Sequence, residues 1–190
     1  VSFRFEVLPT LTKLGCNAGT CHGTPTGKGG FRLSLRGFDP ALDRGTLTRE
    51  IGVRRINLVE AERSLMLLKP TGTVPHEGGR QFETGSEDYR LLHDWIAAGA
   101  IDDSGTAPAL STLSIAPERM QLEPAQSSLA LQVTARFADG TDRDVTRLCK
   151  WSSSDGSVAT VARGGLVTRL KRGEAAITAE FCGRFATAKL

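Results

Sequence analysis

The hydrophobic period of this chain changes partway along, and that change constrains the fold more than any other feature. Up to residue 101 the apolar residues fall at helical spacing between Gly-rich loops, and from residue 112 onward they alternate with polar ones. A period near 3.6 buries one stripe of a helix, whereas a period of two buries one face of a strand. The clearest alternation is Leu129-x-Leu131-x-Val133-x-Ala135-x-Phe137, which predicts one half-buried strand followed by an Asp139-Gly140 hairpin turn. Further strands are predicted at Lys150–Ser152, Val158–Val161, Leu166–Leu170, Ala175–Phe181 and Phe185–Leu190, with Gly164-Gly165, Gly173 and Gly183 between them. Short strands with regular turn punctuation predict a β-sandwich. The seam, DDSGTAPALS at residues 102–111, is small and polar with Gly105 and Pro108, as a linker is. The expected fold is therefore multidomain, mainly α over residues 1–107 and all-β over residues 112–190.

In the first half, Phe5 to Leu14 is apolar-periodic ahead of Gly15 and reads as a helix despite Pro9. Asp39-Pro40 supplies an N-cap and an N1 proline for another. Ser86 caps a third, Glu87 to Ala98, with Glu87 and Asp88 at its positive end. Leu91, Leu92, Trp95 and Ile96 form the buried stripe of this helix, and Gly99 stands at C′. After a Gly-rich loop, Phe31, Leu33 and Leu35 alternate as a short strand or extended segment.

Charge and hydropathy exclude several function classes. Lys and Arg number 24 against 21 acids, a net +3 that implies no nucleic-acid surface. No apolar run approaches the roughly 18 residues of a membrane span. The chain opens at Val1 without a basic-then-apolar leader, as expected of a processed chain or an excised fragment.

The chemistry-bearing segment is Gly15-Cys16-Asn17-Ala18-Gly19-Thr20-Cys21-His22-Gly23. In C-x-x-C-H motifs both thiols form thioethers to haem vinyl groups, and the adjacent His sits under the iron. The restrictive element is the Cys-His adjacency, which fixes the imidazole relative to the second thioether. Here the intervening residues are small and turn-competent, giving an expanded C-x4-C-H. Two other readings share these residues: a Cys16–Cys21 disulfide, and a zinc site using Cys16, Cys21, His22 and one more ligand. The zinc reading has only His76 and His93 nearby to complete it, because the other cysteines lie in the β half.

The stretches GCNAGTCHG, GKGGFRLSLRGFDP, RRIN, SLMLLKPTGTVPHEGG and YRLLHDWIAAGA, within residues 3–101, resemble the cytochrome c-like domain of large planctomycete-type surface or periplasmic proteins. Residues 112–190 are similar to bacterial immunoglobulin-like domains of group 2. The similarity runs through Val145-Thr146, Trp151-Ser152-Ser153, Val158-Ala159-Thr160-Val161, Gly165-Leu166-Val167-Thr168 and Gly173-Glu174-Ala175-Ala176-Ile177-Thr178. The resemblance implies covalent haem c, an extracytoplasmic location and larger domains further along the parent chain. Two departures from small cytochromes c are plain: the wider cysteine gap, and the lack of a Met in an obvious distal loop.

With His22 proximal, the sixth-ligand candidates are His76, His93, Met66 and Met120. Met120 lies in the β half, and His93 falls outside the apolar stripe of its helix. Met66 sits in the apolar run Ser64–Leu68, where core filling is the ordinary role of Met. His76 lies in Thr73-Val74-Pro75-His76-Glu77-Gly78-Gly79, a tight loop suited to presenting one ligand, and the resembling family has a His at this place. His76 is the expected distal ligand and Met66 its alternative.

Thr24-Pro25-Thr26-Gly27-Lys28-Gly29-Gly30 fails the phosphate-loop pattern, because the glycine interval is short and Gly29 replaces the hydroxyl residue. It is expected to let backbone pass close to a haem edge. Phe31, Phe38, Leu65 and Trp95 are candidate haem-wall residues, and Arg32, Arg36, Arg54 and Arg55 candidate propionate partners. Cys149 and Cys182 are a candidate disulfide, with two separate thiols as the alternative.

The expected function is a mono-haem electron-transfer module fused to an immunoglobulin-like spacer or interaction domain. Its partners would be a redox protein or neighbouring domains of the parent chain. The rival readings are a haem enzyme or sensor with an open sixth site, and a zinc- or disulfide-stabilised binding module.

Overall fold

The computed structural model describes residues 1–50, 54–103, 105–123 and 127–190. Of the expected linker, Ser104 lies outside the described residues. The chain divides into two compact units, Val1–Ala107 and Pro108–Leu190.

The first unit begins with a π-helical turn, Phe3–Val7, that runs directly into α1, Leu8–Lys13. Pro9 falls in the first turn of α1, where its missing N–H costs nothing. The α1 terminus is a Schellman cap: Cys16 N–H donates to Leu11 O at 2.9 Å and Gly15 N–H to Thr12 O at 3.0 Å. Gly15 takes φ +78° there, a value that favours glycine.

Helix α2 spans Pro40–Thr48, with the Asp39 carboxylate accepting from Leu42 N–H. The short α3, Leu65–Leu68, and α4, Glu87–Ala97, complete the helices among the described residues. Ser86 Oγ accepts from Tyr89 N–H to cap α4. A second Schellman cap ends α4, through Ala100 N–H to Trp95 O and Gly99 N–H to Ile96 O.

The core of this unit gathers Phe3, Val7, Leu11, Leu33, Leu47, Leu67, Leu92, Trp95 and Ile96. Trp95 stacks on Phe3 at 5.2 Å, and its indole N–H donates to Ile101 O. A half-buried ion pair at 2.6 Å, Lys13–Asp88, ties α1 to α4. Asp43 is fully buried on α2 and accepts from both the backbone N–H and the hydroxyl of Ser34.

One expectation for this unit needs correction and another is narrowed. The described helices are short, and turns and loops make up the rest rather than a mainly α body. The physical reason is the density of glycines with positive φ, including Gly27, Gly29, Gly30, Gly72, Gly79 and Gly85. Of the short strand or extended segment expected at Phe31 to Leu35, no strand forms. Phe31 makes an isolated bridge to Lys28, and Leu35 opens a 3₁₀ turn, Leu35–Gly37, with its side chain half exposed.

The second unit is an immunoglobulin-like β-sandwich of short antiparallel strands. β1 (Leu110–Ala116), β3 (Gln132–Phe137) and β4 (Asp142–Asp144) form one sheet in the order β1-β3-β4. β2 (Ser128–Ala130), β6 (Ala159–Val161) and β7 (Leu166–Arg169) pair as β2-β7-β6. β5 (Lys150–Ser153), β8 (Ala176–Phe181) and β9 (Arg184–Lys189) pair as β5-β8-β9. Val133, Ala135, Phe137, Val167, Ile177, Ala179, Phe181 and Ala188 point inward and are buried.

The alternation at 129–137 is real, but the expected single strand is two. Leu131 breaks it: its N–H donates to Gly165 O, and the chain passes from the partner β7 to the partners β1 and β4. Alternation reports which side chains are buried and carries no information about which neighbour receives the hydrogen bonds. Strands β1 and β4 were not anticipated. Every side chain of β4 is exposed, so it carries no hydrophobic signal. Asp139-Gly140 does form the turn between β3 and β4, with Gly140 at φ +84°.

Candidate functional site

The Schellman cap on α1 delivers Cys16 half-buried against the core, at the mouth of the C-x4-C-H loop. The loop then folds back on itself. Cys21 N–H and Gly23 N–H both donate to Ala18 O at 2.9 Å, and His22 N–H donates to Cys16 O at 3.0 Å. Asn17, 1% exposed, locks the loop from below through Nδ2 to Thr12 Oγ1, while its carbonyl accepts from Arg36 N–H. The result is a compact loop that joins the backbones of Cys16 and His22 and places Cys21 between them in the turn.

Two glycines make this packing feasible. A Cβ at Gly23 would sit 2.2 Å from Asn17 O, and one at Gly27 would sit 2.1 Å from Phe31 O. The close approach in the Gly-rich loop is therefore to the Phe31 carbonyl of this chain. That same carbonyl holds His22, whose Nδ1 lies 2.9 Å from it. A carbonyl can only accept, so Nδ1 carries the proton and Nε2 keeps its lone pair. Burial keeps the imidazole below its ordinary pKa. Backbone hydrogen bonds to Phe31 and Lys28 work against that shift, and the neighbouring His76 and Arg55 reinforce it. His22 is thus held neutral in one tautomer, the form in which a histidine ligates metal.

His76 faces His22. Their ring centroids are 6.4 Å apart and their planes lie within 12° of parallel. His76 Nδ1 donates to Gly79 O at 2.9 Å, so its Nε2 is also the bare nitrogen. A Cβ at Gly78 would approach His76 Cε1 to 2.9 Å, so only glycine leaves this ring its place. The exposed pair Lys28–Glu77, at 2.7 Å, joins the loop after His22 to the loop that carries His76. Each partner stabilises the charge of the other, which raises the Lys28 pKa and lowers that of Glu77.

The remaining candidates fall in varied places. Phe31 tilts against His22 at 4.4 Å and carries the Arg55 guanidinium over its other contacts at 4.6 Å from the ring centroid. Arg55 is buried and donates to Thr46 O, Gly30 O and Glu50, which ties the Gly-rich loop to α2. Arg32, Arg36 and Arg54 are exposed, and Arg36 adopts φ +58° beside Asn17. Phe38 is 75% exposed, Leu65 is half-buried at the start of α3, and Trp95 is sealed in the core against Phe3. Met66 is a core residue of the first unit, and Met120 belongs to the second. His93 is part-exposed, with Nδ1 donating to Asp94.

All four cysteines are thiols. Cys149 is buried, with Sγ–H donating to Val145 O. Cys182 is exposed at φ +48° and with Gly183, at φ +74°, forms the β8–β9 turn. Positive φ at both residues is the signature of a type I′ hairpin.

Among the described residues, no three of His, Cys, Asp and Glu converge as a metal-ion cluster. Sequence reasoning missed the Lys28–Glu77 pair, because nothing in two distant loops marks them as neighbours. It also missed the role of Asn17, whose loop position suggested only turn chemistry. No described helix is long and apolar enough to cross a membrane.

Comparison with known proteins bears on the second unit. A curated relative, ice-binding protein 1 of Shewanella frigidimarina (strain NCIMB 400), is 34% identical over 74 residues. That match covers 39% of this chain and 8% of the relative, so the chain spans less than a tenth of that protein. Residues 110–180 match the bacterial Ig-like domain (group 2), a family whose members occur in extracellular or surface proteins.

Proposed function

We propose that the first unit, residues 1–107, is a mono-haem c-type module for electron transfer. Residues 112–190 would be the immunoglobulin-like spacer or interaction domain of a larger extracytoplasmic protein. Cys16 and Cys21 would hold the haem as thioethers, with His22 as proximal and His76 as distal ligand. The bound haem would supply a one-electron iron couple, and two imidazole ligands would make that iron six-coordinate and suited to electron transfer. The residues of this chain do the rest. Phe31 O and Gly79 O orient the two rings, Gly27 leaves room for that Phe31 carbonyl, Gly78 leaves room for the His76 ring, and Asn17 anchors the loop that carries both cysteines.

The single observation that carries this reading is the His22–His76 pair. Two imidazoles bound on opposite sides of one metal, with bonds of about 2.0 Å, have centroids about 6.3 Å apart. The observed separation is 6.4 Å, with nearly parallel rings and the Nδ1 of each ring bonded to a backbone carbonyl. A tetrahedral zinc site would draw the centroids to about 5 Å and would need a third converging ligand. No such group is present among the described residues. Partners would be a redox protein or neighbouring domains of the parent chain, without nucleic acid.

The test is expression of the chain with haem-attachment machinery, followed by intact mass and a pyridine haemochrome assay. The expected result is a mass gain of roughly 600 Da, lost in Cys16→Ala/Cys21→Ala, and a low-spin spectrum in both oxidation states. A colourless product overturns the proposal. A haem-loaded product that binds carbon monoxide freely replaces the distal His76 with an open-site enzyme or sensor.

A further inference from the structure

The two imidazoles are held by unequal means. His22 follows directly on Cys21, and its backbone N–H is bonded to Cys16 O within the motif. His76 sits on a loop anchored mainly to its own neighbourhood: Val74 N–H donates to Leu68 O, Lys69 Nζ to Pro75 O, and Gln81 Nε2 to Gly78 O. None of these three bonds ties His76 to the His22 side. The Lys28–Glu77 pair does, directly. Lys28 belongs to the turn that presents the His22 acceptor, since Phe31 N–H donates to Lys28 O at 3.2 Å. Glu77 follows His76 in sequence and lies inside the turn closed by Gly79 N–H to His76 O.

We infer that Lys28 and Glu77 are a positioning pair, a clasp that keeps His76 opposite His22. Breaking it would let the distal loop swing out and open the sixth coordination position. This inference rests on the haem reading above and names what sets the balance between a closed electron-transfer site and an open ligand-binding one. The pair is solvent-exposed, with side chains 51% and 75% accessible, so its leverage is modest and depends on ionic strength. Only a state in which His76 has left the iron can accept carbon monoxide. The rate of carbon monoxide binding to the ferrous protein therefore reports the population and opening of the clasp.

The experiment uses the full chain matured with haem, as wild type, Lys28→Met, Glu77→Gln and the charge-swapped Lys28→Glu/Glu77→Lys. Haem content by pyridine haemochrome and carbon monoxide association are measured for each. The single variants are expected to retain full haem content and to bind carbon monoxide about two- to fivefold faster than wild type. The swap should return the rate toward wild type, a rescue that a generic loss of stability would not produce. Raising salt should speed wild type toward the single variants and leave those variants unchanged. Haem-loaded, low-spin singles with wild-type rates, or a swap that behaves like the singles, would overturn the clasp and leave the haem reading intact. A wild type that takes up no haem would overturn both.

Discussion

The two units are held together in different ways. The Ig-like unit is a set of ladders: β8 pairs with β9 over six residue pairs and β1 with β3 over a similar length, through repeated backbone bonds. Its polar side chains serve turns, as Asp139 does for Thr141 and Asp155 for Ser157. Among its described residues, the first unit has no such ladder. Its loops are fixed one by one, through Asn17 to Thr12, Ser34 to Asp43, Arg55 to Gly30 and His22 to Phe31. A ladder tolerates substitution because each bond resembles its neighbour. A loop assembly specifies individual atoms, which is what the proposed haem site would require.

Core truncation gives the largest expected break in this comparison. Trp95→Ala and Phe137→Ala each remove a side chain at most 2% exposed, and each should cost about 3–5 kcal/mol. Trp95 and Phe137 belong to different units, so each substitution should shift one thermal transition. The chain has two tryptophans, Trp95 in the first unit and Trp151 in the second. Single-tryptophan variants therefore report the units separately by fluorescence. A shift of both transitions by either truncation would contradict separate cores.

Glycine substitution comes next and sharpens the contrast. Gly23→Ala drives a Cβ into Asn17 O and should destabilise the first unit by about 1–3 kcal/mol. On the proposed haem reading, it should also reduce covalent haem loading, measured by intact mass. Gly183→Ala meets nothing within 4 Å and strains only its φ of +74°, so the second unit should lose about 1 kcal/mol. Equal effects would mean that the motif loop is no more tightly specified than a hairpin.

Removing the α4 cap with Ser86→Ala should cost about 1 kcal/mol, read as a shift in the first transition alone.

Acid is expected to act on the units in opposite senses, and this is the smallest effect. Hydrogen bonds hold Asp139, Asp142 and Asp155 of the second unit below their ordinary values. The stability they contribute is present at neutral pH and is lost as pH falls through their lowered folded values. Burial raises Asp43 of the first unit despite its bonds to Ser34. A raised carboxyl binds its proton more tightly in the folded state, so its contribution declines as pH rises from the unfolded value through the folded one. Melting between pH 3 and 6 should show the second unit losing ground on acidification while Asp43→Asn flattens the response of the first.

Much of the fold was legible where local physics decides it. Ser86 and Asp39 cap helices because their side chains reach the N–H three residues on, and Gly99 ends α4 because a Schellman cap needs φ above zero. The strands from Lys150 to Lys189 lie within a residue or so of their alternation patterns. Legibility failed at Leu131, where the inward pattern continues while the pairing partner changes. It failed at β4, whose exposed side chains carry no pattern. At the candidate site, Cys16, Cys21 and His22 were readable because the motif is contiguous. The Phe31 carbonyl that fixes the His22 tautomer was not, since a backbone oxygen leaves no trace in residue identity.

By itself, then, the sequence determined the two-part character of this protein, the caps that bound its helices and the contiguous thiol-imidazole motif. All of these rest on interactions within a few residues. The tertiary structure alone decided that His76 lies 6.4 Å from His22 with parallel rings, that Lys28 reaches Glu77, and that Gly27 and Gly78 are spaces left for particular atoms. The His22–His76 and Lys28–Glu77 contacts join loops about fifty residues apart, and no local period or propensity encodes which loops will meet.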